Sequence, residues 1–143
     1  MHEVSFEETV ELIREKDPRY ARDAYQFVRE ALDFTQKAIG KENRGRIRHV
    51  SGQELLAGIR DFALAQFGPM AMTVFEEWGI HHCLDFGDIV FNMVDIGLLA
   101  KTEKDSRADF EGGYEFYEAF RQPFLPSNRQ AKGIPAPASS RGN

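Results

Sequence analysis

The amino-acid sequence predicts a mostly α-helical domain that carries a small β-hairpin, which places it in the α+β class. Three observations predict this class. Apolar residues recur at helical spacing from Phe6 to Ile96. Serine or aspartate stands where several of these runs begin, and glycine or proline where they end. After Gly97 the apolar period changes to two, which is typical of a strand with one buried face.

Length and composition predict one domain at residues 1–125 and a tail at residues 126–143. The chain has 143 residues, of which 42% are apolar, so it can bury one core. The tail is rich in Pro, Gly, Ser and Ala, and we expect it to be disordered. Because the sequence has no membrane-length apolar run, an acidic start without a secretory signal and a single cysteine, we expect a cytoplasmic protein without a membrane partner.

Residues 5–39 predict a pair of packed helices. Ser5 and Glu8 have the spacing of a capping box, in which each side chain satisfies a backbone N–H of the first turn. Pro18 ends the first helix and is a suitable opening residue for the second. The apolar stripes of the two helices are Phe6, Val10 and Ile13, then Tyr20, Ala24, Phe27, Val28, Ala31 and Thr35.

Residues 40–49 predict a basic connecting loop, because they contain two glycines and no helical period. Arg44, Arg46 and Arg48 recur at every second position, so an extended segment would point all three the same way. One interpretation is a small anion or RNA contact. The other is a basic loop that lies against the acidic segment after it.

Residues 50–125 predict three helices and the hairpin. Ser51 and Glu54 form a second capping box, and Pro69 separates this helix from a short one. Asp85 is a good N-cap for the third helix of this group. Beyond it the alternation of Phe110, Gly112, Tyr114 and Phe116 predicts a strand, and a helix over residues 114–121 is the alternative.

Three helices followed by a hairpin is the element order of a winged helix, and this half is therefore predicted to be winged-helix-like. In DNA-binding members the helix before the wing carries Arg, Lys, Asn or Gln into the major groove. Here that helix presents Asp85, Asp88, Asn92 and Asp95. Residues 51–120 hold thirteen acids and four bases. Duplex recognition through this helix is therefore disfavoured, and a protein-docking role fits its charge better.

Several joined pieces of the chain also resemble an uncharacterised family of conserved hypothetical proteins restricted to planctomycete and verrucomicrobial bacteria. The resemblance covers roughly residues 6–124 and implies a bacterial protein, but it carries no activity and no functional residues. The pieces are Arg19-Tyr20, Ala24-Tyr25-Gln26-Phe27-Val28, His49-Val50-Ser51-Gly52, Phe67-Gly68-Pro69-Met70-Ala71, Trp78-Gly79, Asp85-Phe86-Gly87-Asp88-Ile89-Val90-Phe91-Asn92, Asp109-Phe110 and Tyr114.

One cluster combines metal-capable side chains: His81, His82, Cys83 and Asp85. Zinc takes nitrogen and sulfur ligands, but adjacent histidines rarely reach one ion, and Cys83 also fits a small buried apolar group. A nucleophilic role for Cys83 would need an activating histidine and an oxyanion site, and the sequence shows no motif for the latter. We therefore predict no catalytic residues and no cofactor.

The leading hypothesis is a non-enzymatic protein–protein interaction module, with a protein partner or a second copy as ligand. The alternative is a nucleic-acid-binding regulator that uses the arginine loop 44–48 and the basic tail, and a small metal protein or enzyme comes third. Aromatic residues are dense between positions 110 and 124, where they fill a core or form a docking surface. The predicted partner-binding residues are Tyr117, Phe120, Phe124, Asp88 and Asp95.

Overall fold

A computed structural model describes residues 5–42 and 49–126 of the chain. This part contains six α-helices and three single-turn 3₁₀ segments, and none of its residues lies in a β-strand. The 3₁₀ segments are Gly68–Met70, Arg107–Phe110 and Gln122–Phe124. The helices are α1 (Phe6–Lys16), α2 (Arg22–Glu42), α3 (Gly52–Phe67), α4 (Ala71–Glu77), α5 (Cys83–Asp95) and α6 (Phe116–Phe120).

The N-terminal pair forms as predicted, except for the start and the end of the second helix, since α2 continues to Glu42 and takes in the first three residues of the predicted loop 40–49. The capping box is confirmed, since Glu8 N donates to Ser5 Oγ at 3.1 Å and Ser5 N donates to Glu8 Oε1 at 3.0 Å. Pro18 does not open α2. The Asp17 carboxylate accepts hydrogen bonds from the backbone and the guanidinium of Arg19, so residues 18–20 form a turn and α2 begins at Arg22.

Gly79 allows that turn to lie against the end of α4. Its φ is +87°, and a Cβ at this position would lie 2.3 Å from the carbonyl oxygen of Arg19. Ala21 N donates to Trp78 O across the same contact, at 3.1 Å. Only glycine fits both the left-handed backbone and this close approach. The α1–α2 turn is therefore docked on the end of α4.

The second capping box, at Ser51 and Glu54, is confirmed at the start of α3. The predicted N-cap of α5 was wrong by three residues, since His82 and not Asp85 is the cap. The helix begins at Cys83, and Asp85 occupies its third position instead of the N-cap. The Asp85 carboxylate accepts hydrogen bonds from the backbone N–H groups of His81 and His82, which precede the helix. A carboxylate in the first turn can thus serve the cap without being the cap residue.

The β-hairpin, and with it the α+β class and the winged-helix-like unit, is wrong: the described residues are all-helical. Phe110 lies in a 3₁₀ turn that packs on α3 and α5, and the Tyr114 hydroxyl donates to Leu56 O at 2.8 Å. Phe116 and Phe120 are buried on one side of α6. The alternating aromatics are therefore buried one by one by different helices, and the helical alternative for residues 114–121 holds over Phe116–Phe120.

One aromatic cluster joins the helices. Phe75 of α4 is fully buried at its centre, and its ring centroid lies 5.2–5.8 Å from those of Phe27, Phe86, Phe116 and Phe120. These rings come from α2, α5 and α6, so the cluster connects four helices. None of the helices in the described ranges has the length and apolarity needed to cross a lipid bilayer.

Candidate functional site

The acidic face of α5 is covered by the N-terminal helices. Asp85, Asp88 and Asn92 lie three and four residues apart, so they share one side of the helix. The α1–α2 turn packs over this side with Asp17 and the segment after it, and Arg107 closes it from another direction. The surface that would have met a nucleic-acid groove is therefore an internal contact.

Asp88 is the centre of this covered face. Its side chain is only 8% exposed, and it accepts hydrogen bonds from Arg19 Nη1 at 3.1 Å and from the Tyr20 hydroxyl at 3.2 Å. The Arg107 guanidinium also donates to it. Two guanidinium groups thus compensate one buried carboxylate, which would otherwise be costly to desolvate, and the Tyr20 hydroxyl, whose one proton it shares with Asp85, lies beside them. Asp88 is not available to a partner, and this removes it from the predicted docking residues.

The network extends from Asp88 to both ends of the α1–α2 turn. Arg19 Nε and Nη2 bind the two oxygens of Asp17 at 2.8 and 2.7 Å, and Asn92 Nδ2 donates to Asp17 Oδ2 at 2.9 Å. The Arg19 hydrogen bonds hold the pKa of the Asp17 carboxyl well below its usual range. The Tyr20 hydroxyl also donates to Asp85 Oδ1 at 2.7 Å. Burial raises the pKa of the Tyr20 hydroxyl, and the hydrogen bond to Asp85 raises it further. The phenol therefore stays protonated.

This network is saturated by its own members. Asp85 Oδ1 is bound by the Tyr20 hydroxyl and Asp85 Oδ2 by two backbone N–H groups, while Asp88 is bound by the guanidinium groups of Arg19 and Arg107. Such an arrangement fixes the α1–α2 turn on α5. Sequence reasoning did not detect the network, because the contacts between the α1–α2 turn and α5 join residues that lie 65–75 positions apart along the chain.

The four metal-capable residues of the sequence, His81, His82, Cys83 and Asp85, do not converge on one point. His81 and His82 are exposed and their ring centroids are 6.3 Å apart, while Cys83 is buried with its sulfur 3.4 Å from both Tyr114 N and Tyr114 O. In residues 5–42 and 49–126 no three His, Cys, Asp or Glu side chains form a group that could hold an ion. Burial raises the pKa of the Cys83 thiol, which is the opposite of what a nucleophile needs.

The predicted aromatic docking residues divide into buried and exposed ones. Phe120 is 0% exposed inside the aromatic cluster, so it cannot contact a partner. Tyr117 and Phe124 are 50% and 43% exposed. Sequence reasoning missed Met70, which is 55% exposed in the 3₁₀ segment that contacts α6. We call Met70, Tyr117 and Phe124 the α6 surface.

Asp95, the remaining predicted docking residue, is exposed at the last position of α5. The predicted nucleic-acid residues Arg44, Arg46 and Arg48 lie outside the described residues, so that hypothesis stays a prediction. No family model, no curated protein and no solved structure matches this chain.

Proposed function

We propose that this protein is a non-enzymatic protein–protein interaction module that binds a basic, amphipathic segment of its partner at the α6 surface. One observation carries the proposal. Three large apolar side chains, Met70, Tyr117 and Phe124, are about half exposed on elements that contact one another. Neighbouring apolar groups that face water are typical of docking sites, and aromatic residues and methionine are enriched at interfaces.

The α6 surface stands on a rigid support. Although α6 has only five residues, Phe116 and Phe120 on its inner side lie with ring centroids 5.8 and 5.2 Å from that of Phe75. The backbone of α6 is thus held by the aromatic cluster while Tyr117 points away from it. A surface that is ordered before binding loses less conformational entropy when a partner docks.

The charge around this surface selects the partner. Glu76 and Glu77 on α4, together with Glu115 and Glu118 on or next to α6, are exposed, and within the described ranges none of the four forms an ion pair. Arg121 is the base nearest to them along α6. A negative rim attracts a positively charged partner and disfavours an acidic one. The partner segment therefore combines an apolar anchor with lysine or arginine.

The titratable groups inside the fold favour binding over catalysis. Asp85 and Asp88 are saturated by internal donors, and the Cys83 thiol is kept protonated by burial. Neither the carboxylates nor the thiol offers a group that is both reactive and accessible. The groups that a partner can reach on the described surface are instead exposed apolar side chains and exposed carboxylates.

A displayed library of random peptides, selected against the immobilised full-length chain, tests the proposal. We expect enrichment of peptides that carry an aromatic or leucine anchor beside lysines or arginines. The double variant Tyr117→Ser/Phe124→Ser should lose their binding at least about tenfold, since two buried anchors are removed. Leu12→Ser is the matched control, because Leu12 is 48% exposed and lies on α1, which carries no residue of the α6 surface.

Two results would contradict the proposal. One is enrichment of acidic peptides, and the other is equal binding by the double variant and by Leu12→Ser. A second copy of the chain is the competing occupant of the same surface. Sedimentation that shows a wild-type dimer dissociated by the double variant would assign the surface to self-association instead.

A further inference from the structure

A cavity of about 310 Å³ lies between α2, α3, α5 and the segment 98–110. It is separate from the α6 surface, since none of Met70, Tyr117 and Phe124 lines it. Its walls are apolar and come from four parts of the chain: Leu32, Leu55, Val90, Val94, Leu98 and Phe110. This volume is at the lower end of the range for small-molecule sites, so the cavity can hold only a small ligand.

The cavity is held open by tight packing at one wall. The 3₁₀ turn Arg107–Phe110 lies against two glycines: a Cβ on Gly52 would be 2.8 Å from Asp109 Cβ, and one on Gly87 would be 2.9 Å from the ring of Phe110. Gln53 also donates from its side chain to Asp109 O. The ring of Phe110 is therefore fixed between α3 and α5. A preformed site of this kind binds a ligand without first paying for its own ordering.

Both signs of charge line the cavity beside these apolar walls. Asp105 Oδ2 accepts bonds from Thr102 N at 2.8 Å and His49 Nε2 at 2.7 Å, and Asp109 Oδ2 accepts from Ser106 N at 3.0 Å. The other carboxylate oxygen of Asp105 and of Asp109 accepts no hydrogen bond from any described residue. These two oxygens are available to a cationic donor.

Lys101 supplies the opposite charge. Its ammonium makes one long hydrogen bond, to Thr102 O at 3.3 Å, so most of its donor capacity is unused among the described residues. The side-chain amide of Gln36, which also lines the cavity, has no hydrogen-bond partner in residues 5–42 and 49–126. An anionic group would meet both of these donors.

We propose that this cavity binds a free α-amino acid with a compact apolar side chain, of the size of leucine. The side chain fills the space between Leu55, Val90 and Val94, the ammonium faces the carboxylates of Asp105 and Asp109, and the carboxylate faces Lys101. A zwitterion offers a group of opposite charge both to the two carboxylates and to Lys101. An amine alone would leave Lys101 without an anionic partner, and an acid alone would leave the carboxylates without a cationic one. The proposal does not depend on the function of the α6 surface.

Binding of three related ligands to the full-length chain tests whether the cavity recognises both charges of the amino acid. L-leucine, its deaminated analogue 4-methylpentanoate and its decarboxylated analogue isopentylamine share one hydrocarbon body. We expect leucine to bind at least about tenfold more tightly than either analogue in calorimetry, because each analogue loses one charge-assisted contact. Equal binding by all three, tightest binding by an analogue, or no binding by leucine would overturn the proposal.

Two kinds of variant locate the bound ligand. Lys101→Met should weaken leucine binding about tenfold, while Lys104→Met, which removes the same charge three residues away, should change it less than about twofold. Val94→Phe should fill the cavity and abolish binding, with the helical circular-dichroism spectrum retained. If Val94→Phe does not fold, Leu98→Phe replaces it. Wild-type affinity in Lys101→Met or in a folded cavity-filling variant would overturn the assignment.

Discussion

The network around Asp88 and the cluster around Phe75 both hold several helices together, but they do so by different physics. The cluster buries apolar rings from four helices, and its stabilisation depends on area and close packing more than on orientation. The network joins α5 to the α1–α2 turn through a few directional hydrogen bonds and ion pairs. Its two arginines that bind Asp88, Arg19 and Arg107, are more than half exposed. The cluster should therefore supply most of the stability, and the network should supply orientation.

The largest expected effect is that of Phe75→Ala. Removing a ring that is 0% exposed leaves a cavity that four neighbouring rings must line, so we expect a loss of about 3–5 kcal/mol in the free energy of unfolding. Urea unfolding followed by circular dichroism measures it. Phe124→Ala, at a 43% exposed ring, is the control and should cost less than about 1 kcal/mol. Similar losses in both variants would contradict the central role of Phe75.

The next effect tests the polar side of the comparison. Asp88→Asn keeps the shape of the side chain but removes the charge that faces Arg19 and Arg107, so we expect a loss of about 2 kcal/mol. This is less than for a fully buried ion pair, because water still reaches both arginines. Asp95→Asn, at an exposed acid on the same helix, should change stability by less than about 0.5 kcal/mol. If the Asp88 variant were as stable as the Asp95 variant, the charge of Asp88 would contribute nothing measurable to the free energy of unfolding.

A smaller effect depends on pH. The pKa of Asp17 is lowered in the folded state by Arg19, so its ionised form contributes stability above the unfolded pKa of about 3.9, and this contribution is lost as the pH falls through the folded value. Asp17→Asn should therefore cost about 1 kcal/mol at pH 7. The difference from wild type should shrink below about pH 4. A difference that stays constant from pH 7 to acid would contradict the role of the Asp17 charge.

The smallest effect sharpens the contrast between a half-exposed and a fully buried residue of α6. Tyr117→Ser should change the free energy of unfolding by less than about 0.5 kcal/mol, because half of the side chain already faces water. Phe120→Ser, three residues away but fully buried, is the comparison variant and should cost about as much as Phe75→Ala. Thermal unfolding of the two variants compares them directly. A large loss at Tyr117 would mean that the residue is part of the core and not a docking side chain.

Local signals determined where two helices begin. The capping boxes at Ser5 and Ser51 were predicted from residues three positions apart, and both are formed by bonds of 3.0–3.1 Å. These bonds need no contact from elsewhere in the chain, which is why a sequence pattern suffices. The left-handed end at Gly79 was also predictable in kind, but its contact with Arg19 was not.

The aromatic segment shows where a local pattern fails. The alternation from Phe110 to Phe116 predicted a strand because period two usually means one buried sheet face. Here Phe110 is buried against the glycines of α3 and α5, while Phe116 is buried against Phe75 and Phe86. No described segment pairs with this one as a strand. The side chains that alternate in the sequence are instead buried against different helices.

The sequence by itself determined the helical composition of residues 5–96, the two capping boxes and the acidic character of α5, because helical period, caps and charge are properties of neighbouring residues. Only the tertiary structure decided that Asp88 is buried, that Phe120 faces inward while Tyr117 faces water, and that Cys83 is sealed by Tyr114. Exposure is decided by segments tens of residues away, and two residues with the same chemistry acquire different roles when only one of them is covered.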